Sequence, residues 1–211
     1  MPFDFGFVIV ILTLLLVVIA AVFFYQRNTK QRTVGLNKLK QTLSAYPEEA
    51  LWNALNTQLV KLYETGQFQE AANLAEQALE TVKDKFGTDH PQYATSVNNL
   101  AALYKAQGRF QEAEPLYRQA LAIWEKKYGV ESTEVASCLN NLADLFAAEQ
   151  KYVDAETLYK KALDVFEKKL GKNDPSVATV LENIADLYRK SGNETKAVIL
   201  EERVRLIRSK K

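Results

Sequence analysis

Asparagine side chains recur at a fixed interval in this chain and are its best candidates for holding a ligand. Asn98 and Asn99 return as Asn140 and Asn141, and Asn183 continues the series at the same interval. A carboxamide offers both a hydrogen-bond donor and an acceptor, so a row of them can hold the backbone of an extended peptide without selecting its side chains. The alternative is that these amides bond to the neighbouring repeat and support the structure only.

Residue types that carry catalysis are scarce. The single histidine, His90, lies in an Asp-His-Pro turn, and the single cysteine, Cys138, lies within a predicted helix. A zinc site or a nucleophilic triad needs several such groups close together, and the isolated glycines form no phosphate-binding loop. We therefore expect no catalytic residue, no metal site and no cofactor, and we expect that the protein is not an enzyme.

The charge balance also narrows the choice of partner. The 211 residues carry a formal net charge of +1, so nothing draws the whole chain toward nucleic acid. A lone cysteine forms no internal disulfide, which agrees with a reducing compartment. We expect a protein or an extended peptide segment as the ligand, and neither nucleic acid nor a small-molecule substrate.

The asparagines belong to a longer internal repeat. The stretch NNLAALYKAQGRFQEAEPLYRQAL at residues 98–121 returns as NNLADLFAAEQKYVDAETLYKKAL at residues 140–163. Three copies are clear and a fourth is weaker, and a fixed period of this length predicts a solenoid in which stacked units share one core. The copies lie near residues 47–87, 91–129, 133–171 and 175–208.

Each copy has the spacing of two helices. Ala94, Val97 and Leu100 mark one face of the first helix, Gly108 interrupts the pattern, and a second apolar face begins at Phe110. Pro91, Thr133 and Pro175 are predicted first helical residues, and Ser132 and Asp174 are predicted caps. In the fourth copy Glu194, Glu201 and Arg205 replace apolar positions, which predicts a polar end to the solenoid.

The pattern L-A-x-L-Y-x-x-x-G-x-F-x-E-A-x-x-L-Y-x-x-A-L resembles the tetratricopeptide repeat (TPR), and the 42-residue period is similar to the kinesin light chain type. The resemblance implies an all-α solenoid of antiparallel helix pairs and a role in protein–protein interaction. It also implies that asparagines at the positions of Asn99, Asn141 and Asn183 contact bound peptides. Carboxylate-clamp repeats that hold chaperone tails place basic residues where this chain has Thr95, Ser137 and Thr179, so that ligand is not expected.

In a solenoid of this kind the first helix of each pair lines the concave side. The groove is therefore predicted to be mixed in charge and rich in amides. Its predicted partner-binding residues are Asn98, Asn99, Lys105, Asn140, Asn141, Asp144, Glu182, Asn183, Asp186 and Arg189, with Ala102 and Ala148 beside them.

The N-terminal segment predicts a membrane anchor. Phe7 to Tyr25 is an apolar run close to the ~20 residues that span a bilayer. A cleaved signal peptide is the alternative, but residues 1–6 contain Asp4 and no lysine or arginine, and the run ends in bulky aromatic residues. Basic residues such as Arg27 and Lys30 follow the run, so the positive-inside rule places the repeats in the cytoplasm or an equivalent space.

The sequence thus predicts four parts. Residues 1–6 form a short non-cytoplasmic tail, 7–25 a transmembrane helix, 26–46 a basic linker with a short helix, and 47–211 the TPR domain. The basic C-terminal tail either complements the helix dipole or contacts an anionic membrane or an acidic partner.

The leading functional hypothesis is a single-pass scaffold or adaptor in a bacterial inner, thylakoid or equivalent membrane. It would act in the assembly or recruitment of a membrane-associated protein complex. The alternative is a permanent structural subunit of a larger membrane complex, docked through its convex face or its ends, and a third option is end-to-end self-association.

Overall fold

The computed structural model describes residue 57 and residues 59–210, with the backbone alone at residues 77, 78 and 81. The predicted membrane helix at residues 7–25, the linker at 26–46 and the start of the first repeat lie outside the described residues. The chain divides into the units Met1–Leu51 and Trp52–Lys211, and the second unit contains every described residue. Within the described ranges, no helix combines the length and apolar composition needed to cross a membrane.

The described part of the second unit is helical. Residues 59–64 form a helical segment, and seven longer helices follow it. They are α1 (Phe68–Phe86), α2 (Pro91–Ala106), α3 (Phe110–Tyr128), α4 (Thr133–Ala148), α5 (Tyr152–Leu170), α6 (Pro175–Lys190) and α7 (Glu194–Arg208). The predicted all-α solenoid of helix pairs is confirmed for this part of the chain.

The first helix of each repeat begins where the sequence places a capping residue. The Nδ1 atom of His90 accepts a hydrogen bond from the backbone N–H of Gln92 at 3.3 Å, Ser132 Oγ accepts from Val135 N at 3.3 Å, and Asp174 accepts from Ser176 N at 2.8 Å. Each bond satisfies one of the backbone donors left open at a helix start. The lone histidine is therefore a helix cap.

The turn inside each repeat requires a residue with positive φ. Gly108 has φ 74° there and Gly192 has φ 80°, but the third repeat has Gln150 at φ 62°. A side chain with a Cβ is strained in this region, whereas glycine is not. The turn geometry is thus the same in successive repeats although one of them lacks the residue best suited to it.

Small residues let the paired helices approach closely. Ala101 and Ala113 face each other's helices in the second repeat, Ala143 and Ala155 hold the matching places in the third, and all four are fully buried. Each helix packs against the next along the chain from α1 to α7. One continuous core therefore runs through the stacked pairs.

The stacking is tighter on one side of the solenoid. The first helices α2, α4 and α6 contact one another from repeat to repeat, while among the described second helices no comparable contact joins α1 to α3, α3 to α5 or α5 to α7. Closer spacing on one side than on the other curves the stack. The first helices therefore line the concave face, as the sequence predicts.

Two departures from the repeat pattern have structural counterparts. Helix α3 continues through Pro115, which is exposed and cannot donate the usual backbone hydrogen bond. At the other end, Glu194 and Arg205 on α7 are exposed and Glu201 is half-buried. These exposed and half-buried charged side chains make the last described helix polar, as the sequence predicts.

Candidate functional site

All ten predicted partner-binding residues lie on the first helices α2, α4 and α6. Eight are partly exposed, and Asp186 and Arg189 are exposed. Because α2, α4 and α6 form the concave face, the repeat brings these residues onto one surface. The structure also shows which partners most of these side chains have within the chain.

The asparagines form ties between successive repeats. Asn141 donates from Nδ2 to Oδ1 of Asn98 at 3.2 Å, and Asn183 donates from Nδ2 to Oδ1 of Asn140 at 3.0 Å. These contacts are the inter-repeat bonds that the alternative interpretation expects. A carboxamide has two N–H groups and two acceptor lone pairs, so one tie leaves hydrogen-bonding capacity for a ligand. Support of the fold and binding of a peptide are therefore compatible roles.

An ion pair crosses the middle of the groove. Lys105 Nζ on α2 lies 3.2 Å from Asp144 Oδ2 on α4, and both side chains are about one quarter exposed or less. The hydroxyl of Tyr159 donates to the other carboxylate oxygen of Asp144. Burial, together with the charge of Asp144, raises the pKa of the Tyr159 hydroxyl. The carboxylate of Asp144 therefore bonds to Lys105 on α2 and to Tyr159 on α5.

The charges nearer the C-terminus are also paired within the chain. Arg189 donates from Nε and Nη2 to both carboxylate oxygens of Glu201 at 2.8 Å, and from Nη1 to Glu194 at 2.6 Å. Arg208 lies 2.6 Å from Glu182. The hydrogen bonds from Arg189 to Glu201 lower the pKa of the Glu201 carboxyl, because they stabilise its ionised form. Asp186 is paired as well, with Lys190 at 2.8 Å.

The groove predicted to be mixed in charge is therefore largely neutralised from within. Each predicted charged residue has an intramolecular partner of opposite sign. A ligand that bound by charge would have to displace a partner already in place. Apolar contacts and amide hydrogen bonds are the interactions that remain available without such exchange.

An apolar cavity opens at the N-terminal end of the groove. It has a volume of about 360 Å³ and lies between the helical segment 59–64, α2 and α4. Val60 and Tyr63 form part of its wall. Both are large hydrophobic residues, yet they are 46% and 42% exposed. Its lining residues are Leu59, Val60, Tyr63, Glu64, Asn98, Asn99, Ala102, Leu103 and Asn141.

One register position distinguishes the lining of this cavity from the same place in later repeats. Ala102 lines it, while the equivalent residues of the next two repeats are Asp144 and Asp186. The small side chain of Ala102 leaves space. It also lacks the hydrogen-bond acceptor that the carboxylate of Asp144 provides in the next repeat. The hydroxyl of Tyr117, which corresponds to Tyr159 in the next repeat, is buried and has no hydrogen-bond partner among the residues that the structure describes.

Sequence reasoning found the amide rim of this cavity but not its wall. Leu59, Val60, Tyr63 and Leu103 were not identified as binding residues. The available signal was the register: segment 59–64 belongs to the first helix of the first repeat, whose face lines the groove as the later first helices do.

A second cavity of about 400 Å³ lies between α6 and α7. Its lining is mostly charged and consists of Glu182, Ala185, Asp186, Arg189, Glu201, Val204, Arg205 and Arg208. It occupies the side of the last described helix pair on which another first helix would pack. The paired charges described above line this cavity, so its lining residues are mostly charged, whereas those of the first cavity are mostly uncharged.

Metal-ligating residue types do not cluster in the part of the chain that the structure describes. No group of three or more histidine, cysteine, aspartate or glutamate side chains within it could hold a metal ion. Cys138 is fully buried, and burial raises the pKa of its thiol to about 12, so the reactive thiolate is disfavoured at neutral pH.

Comparison with known proteins agrees with the helix-pair architecture. A crystal structure of BtubC (BKLC) from P. vanneervenii is similar with a TM-score of 0.69 and 26% identity, over 88% of this chain and 74% of that one. A crystal structure from Podosopora anserina, of a protein assigned as a kinesin light chain with nearly identical TPR-like repeats, is similar with a TM-score of 0.60 and 25% identity, over 87% and 90%. A single-substitution form of that Podosopora anserina protein gives 0.63 and 25%, over 87% and 89%.

No curated protein matches the chain in sequence. The family model for the tetratricopeptide repeat, in contrast, matches residues 55–126 and 134–209. These two ranges include nearly all of the helices that form the groove and both of its cavities. The chain belongs to the tetratricopeptide repeat family.

Proposed function

We propose that the protein is a membrane-anchored scaffold whose groove holds an extended segment of a protein partner during assembly or recruitment of a membrane-associated complex. Its fold suggests a protein–protein interaction scaffold, and folds of this type are typically non-enzymatic. The carrying observation is the 360 Å³ cavity, which has an apolar wall and an amide rim on the concave face. Such a site accepts an apolar side chain and offers hydrogen bonds to the adjoining backbone.

Membrane anchoring is supported by the apolar run at residues 7–25 and the basic residues after it. An anchor raises the local concentration of whatever the groove holds, which makes weak peptide binding effective. The N-terminus would face away from the cytoplasm and the repeats toward it.

The groove is best tested by filling its cavity. Ala102→Leu adds bulk to the cavity wall, and Ala122→Leu makes the same substitution at an exposed site on α3, away from the concave face. Full-length chains would be purified from solubilised membranes, and the co-purified proteins would be quantified by mass spectrometry. Ala102→Leu is expected to lower recovery of at least one partner about tenfold, equivalent to roughly 1.4 kcal/mol. Ala122→Leu should leave recovery unchanged.

Retention of every partner by both variants would show that the cavity is not the working surface. Binding would then be assigned to the convex face or the ends, as expected for a permanent structural subunit. Replacing the asparagines is a less specific test, because Asn141→Ala and Asn183→Ala also remove inter-repeat ties.

The anchor needs its own measurement. Alkaline carbonate should leave the native chain in the membrane pellet, since about 20 apolar residues suffice to span the bilayer core. The double change Leu15→Arg and Leu16→Arg places two charges in that run and should release the chain. Release of the native chain by carbonate would contradict the anchor without affecting the groove.

A further inference from the structure

A single charged side chain lies among the residues that line the N-terminal cavity. Glu64 is the last residue of the helical segment 59–64, and it lines the cavity together with Val60 and Tyr63. The other lining residues are aliphatic, aromatic or amide side chains. The lining of the cavity therefore carries one negative charge and no positive charge.

The carboxylate of Glu64 is available to a ligand. Glu64 is exposed, and no cation in the described part of the chain forms an ion pair with it. Lys61 lies three residues earlier, but it does not pair with Glu64 and does not line the cavity. Lys105, the nearest predicted groove cation along the chain, is paired with Asp144 at 3.2 Å. A ligand can therefore approach Glu64 without displacing an existing partner.

The negative charge at this place is specific to the first repeat. The residues at the position of Glu64 in the following repeats are Ala106, Ala148 and Lys190. Lys190 is paired with Asp186 at 2.8 Å. Among the described residues at this register position, the unpaired charge is therefore the carboxylate beside the N-terminal cavity.

Tyr63 provides a second group that attracts a cation. Its side chain is 42% exposed, and Phe68 packs against it edge-to-face with the ring centres 5.3 Å apart. A cation over an aromatic face is stabilised by the negative potential of that face. The chain itself uses this contact at Tyr104, where the guanidinium of Arg109 lies 3.9 Å from the ring centre. An exposed ring next to an unpaired carboxylate thus suits a basic side chain.

We propose that the N-terminal cavity binds an extended peptide in which an arginine or lysine lies beside a large apolar residue. The apolar side chain enters the space next to Ala102, and the basic side chain reaches Glu64 and the ring of Tyr63. The aliphatic stem of the basic residue packs on the apolar wall while its charged head stays in water. Arginine fits best, because its planar guanidinium both pairs with carboxylates and stacks on aromatic rings.

The inference rests on the groove binding proposed above and adds the charge of the ligand. An acidic peptide would meet the like charge of Glu64, and unfavourable charge pairs of this kind exclude wrong partners. The other predicted charges of the groove are already neutralised within the chain, so they do not select for either sign. The single unpaired carboxylate therefore sets the preference.

The test is a selection of random peptides displayed on phage, with the full chain purified in a neutral detergent as the target. Phage that bind the Ala102→Leu variant, whose cavity is filled, would be removed first. The peptides that the native chain then retains are expected to carry arginine or lysine beside a large apolar residue several-fold more often than the unselected library.

Two charge reversals give matched variants. Glu64→Lys should retain peptides with aspartate or glutamate beside the apolar residue instead. Glu70→Lys makes the same change at an exposed site on α1, outside the cavity lining, and should retain the same peptides as the native chain. Circular dichroism would check that both variants fold as the native chain does.

A selected peptide also measures the effect of its own cation. Replacing its arginine by glutamine should weaken binding to the native chain about threefold at low salt, as for an exposed ion pair. High salt should reduce this difference, because exposed charges are screened. The Glu64→Gln variant should bind the two forms of the peptide with nearly equal affinity.

The outcomes separate the ligand charge from the groove itself. Retained peptides that share an apolar residue but show no preference for a basic one would overturn the inference and leave groove binding in place. The same basic preference in Glu64→Lys would also overturn it. If the native chain retains no peptide beyond those that Ala102→Leu binds, the cavity is not a peptide site, and both proposals fail.

Discussion

The two ends of the described groove have cavities of similar size, but the residues that line them differ in charge. The N-terminal cavity measures about 360 Å³ and has an apolar wall, and the C-terminal one measures about 400 Å³ and is lined by paired charges. The backbone geometry of the helix pairs is repeated, so the difference arises from side chains at equivalent positions. Ala102 at one end corresponds to Asp186 at the other, and Tyr117 corresponds to Glu201.

Equivalent positions of a repeat protein can thus carry side chains of different charge. At the C-terminal end Arg189 and Arg208 hold Glu201 and Glu182, which supply the polar contacts that an added helix would otherwise provide. At the N-terminal end the small side chain of Ala102 leaves space, and the apolar side chains of Val60 and Tyr63 are exposed there. A ligand that must displace existing ion pairs gains less than one that enters an apolar space. The same fold therefore presents mostly uncharged side chains at one end of the groove and paired charges at the other.

The largest effect on stability is expected from the tyrosine hydroxyls of Tyr159 and Tyr117, which occupy equivalent positions in two repeats. Tyr159→Phe removes a donor to the partly buried Asp144 and should lower the free energy of unfolding by about 1–2 kcal/mol. Tyr117→Phe removes a buried hydroxyl that has no partner in the described part of the chain, and it should leave that free energy unchanged or raise it by about 1 kcal/mol. Urea denaturation of both variants measures the difference. Equal losses would mean that the two hydroxyls have equivalent surroundings, contrary to the structure.

A related change tests the register directly. Ala102→Asp puts a carboxylate at the position that Asp144 holds in the next repeat. It should make Tyr117→Phe destabilising in that background, by about the 1 kcal/mol of one hydrogen bond. A double-mutant cycle with no coupling would show that Tyr117 does not reach this position.

The next effect concerns the turns of the second and third repeats. Gln150→Gly relieves a side chain at φ 62° and should raise the free energy of unfolding by about 1 kcal/mol. Gly108→Gln should lower it by about the same amount, since a Cβ there meets no atom within 4 Å and the cost is in the backbone. Thermal and urea denaturation would measure both. Two changes of the same sign would contradict the equivalence of these turns.

The smallest effect is expected at the ion pairs. Lys105→Ala leaves Asp144 partly buried without its cation and should cost about 1 kcal/mol. Arg208→Ala breaks a pair whose arginine is largely exposed and should cost only a few tenths of a kcal/mol. Repeating the urea titrations at high salt should reduce the second loss more than the first, because exposed pairs are screened more strongly. A larger loss for Arg208→Ala than for Lys105→Ala would show that the exposed C-terminal ion pairs contribute more to stability than the pair in the middle of the groove.

Much of the architecture could be predicted from particular residues. The repeat period gives the helix pairs, and Ser132 and Asp174 cap the helices whose starts they predict. Ala94, Val97 and Leu100 are buried, as their helical spacing indicates. These features depend on contacts within a few residues or on the same position in each copy, and a single sequence contains both kinds of information.

The site could be predicted only in outline. The register places the ten groove residues on α2, α4 and α6, because helical periodicity fixes which side of a helix a residue occupies. It does not fix the bond from Asn141 to Asn98 or the pairing of Arg208 with Glu182, since these depend on how far one repeat is rotated and shifted against the next. The cavity likewise forms from residues of three helices that are far apart in the chain.

By itself, then, the sequence determined the repeat, the helix boundaries, the concave helices and the apolar run that predicts an anchor. Only the tertiary structure decided which groove side chains are already paired and where the apolar cavity lies. The physical reason is that local propensity and periodicity act along the chain, whereas charge neutralisation and cavities arise between segments that stacking brings together.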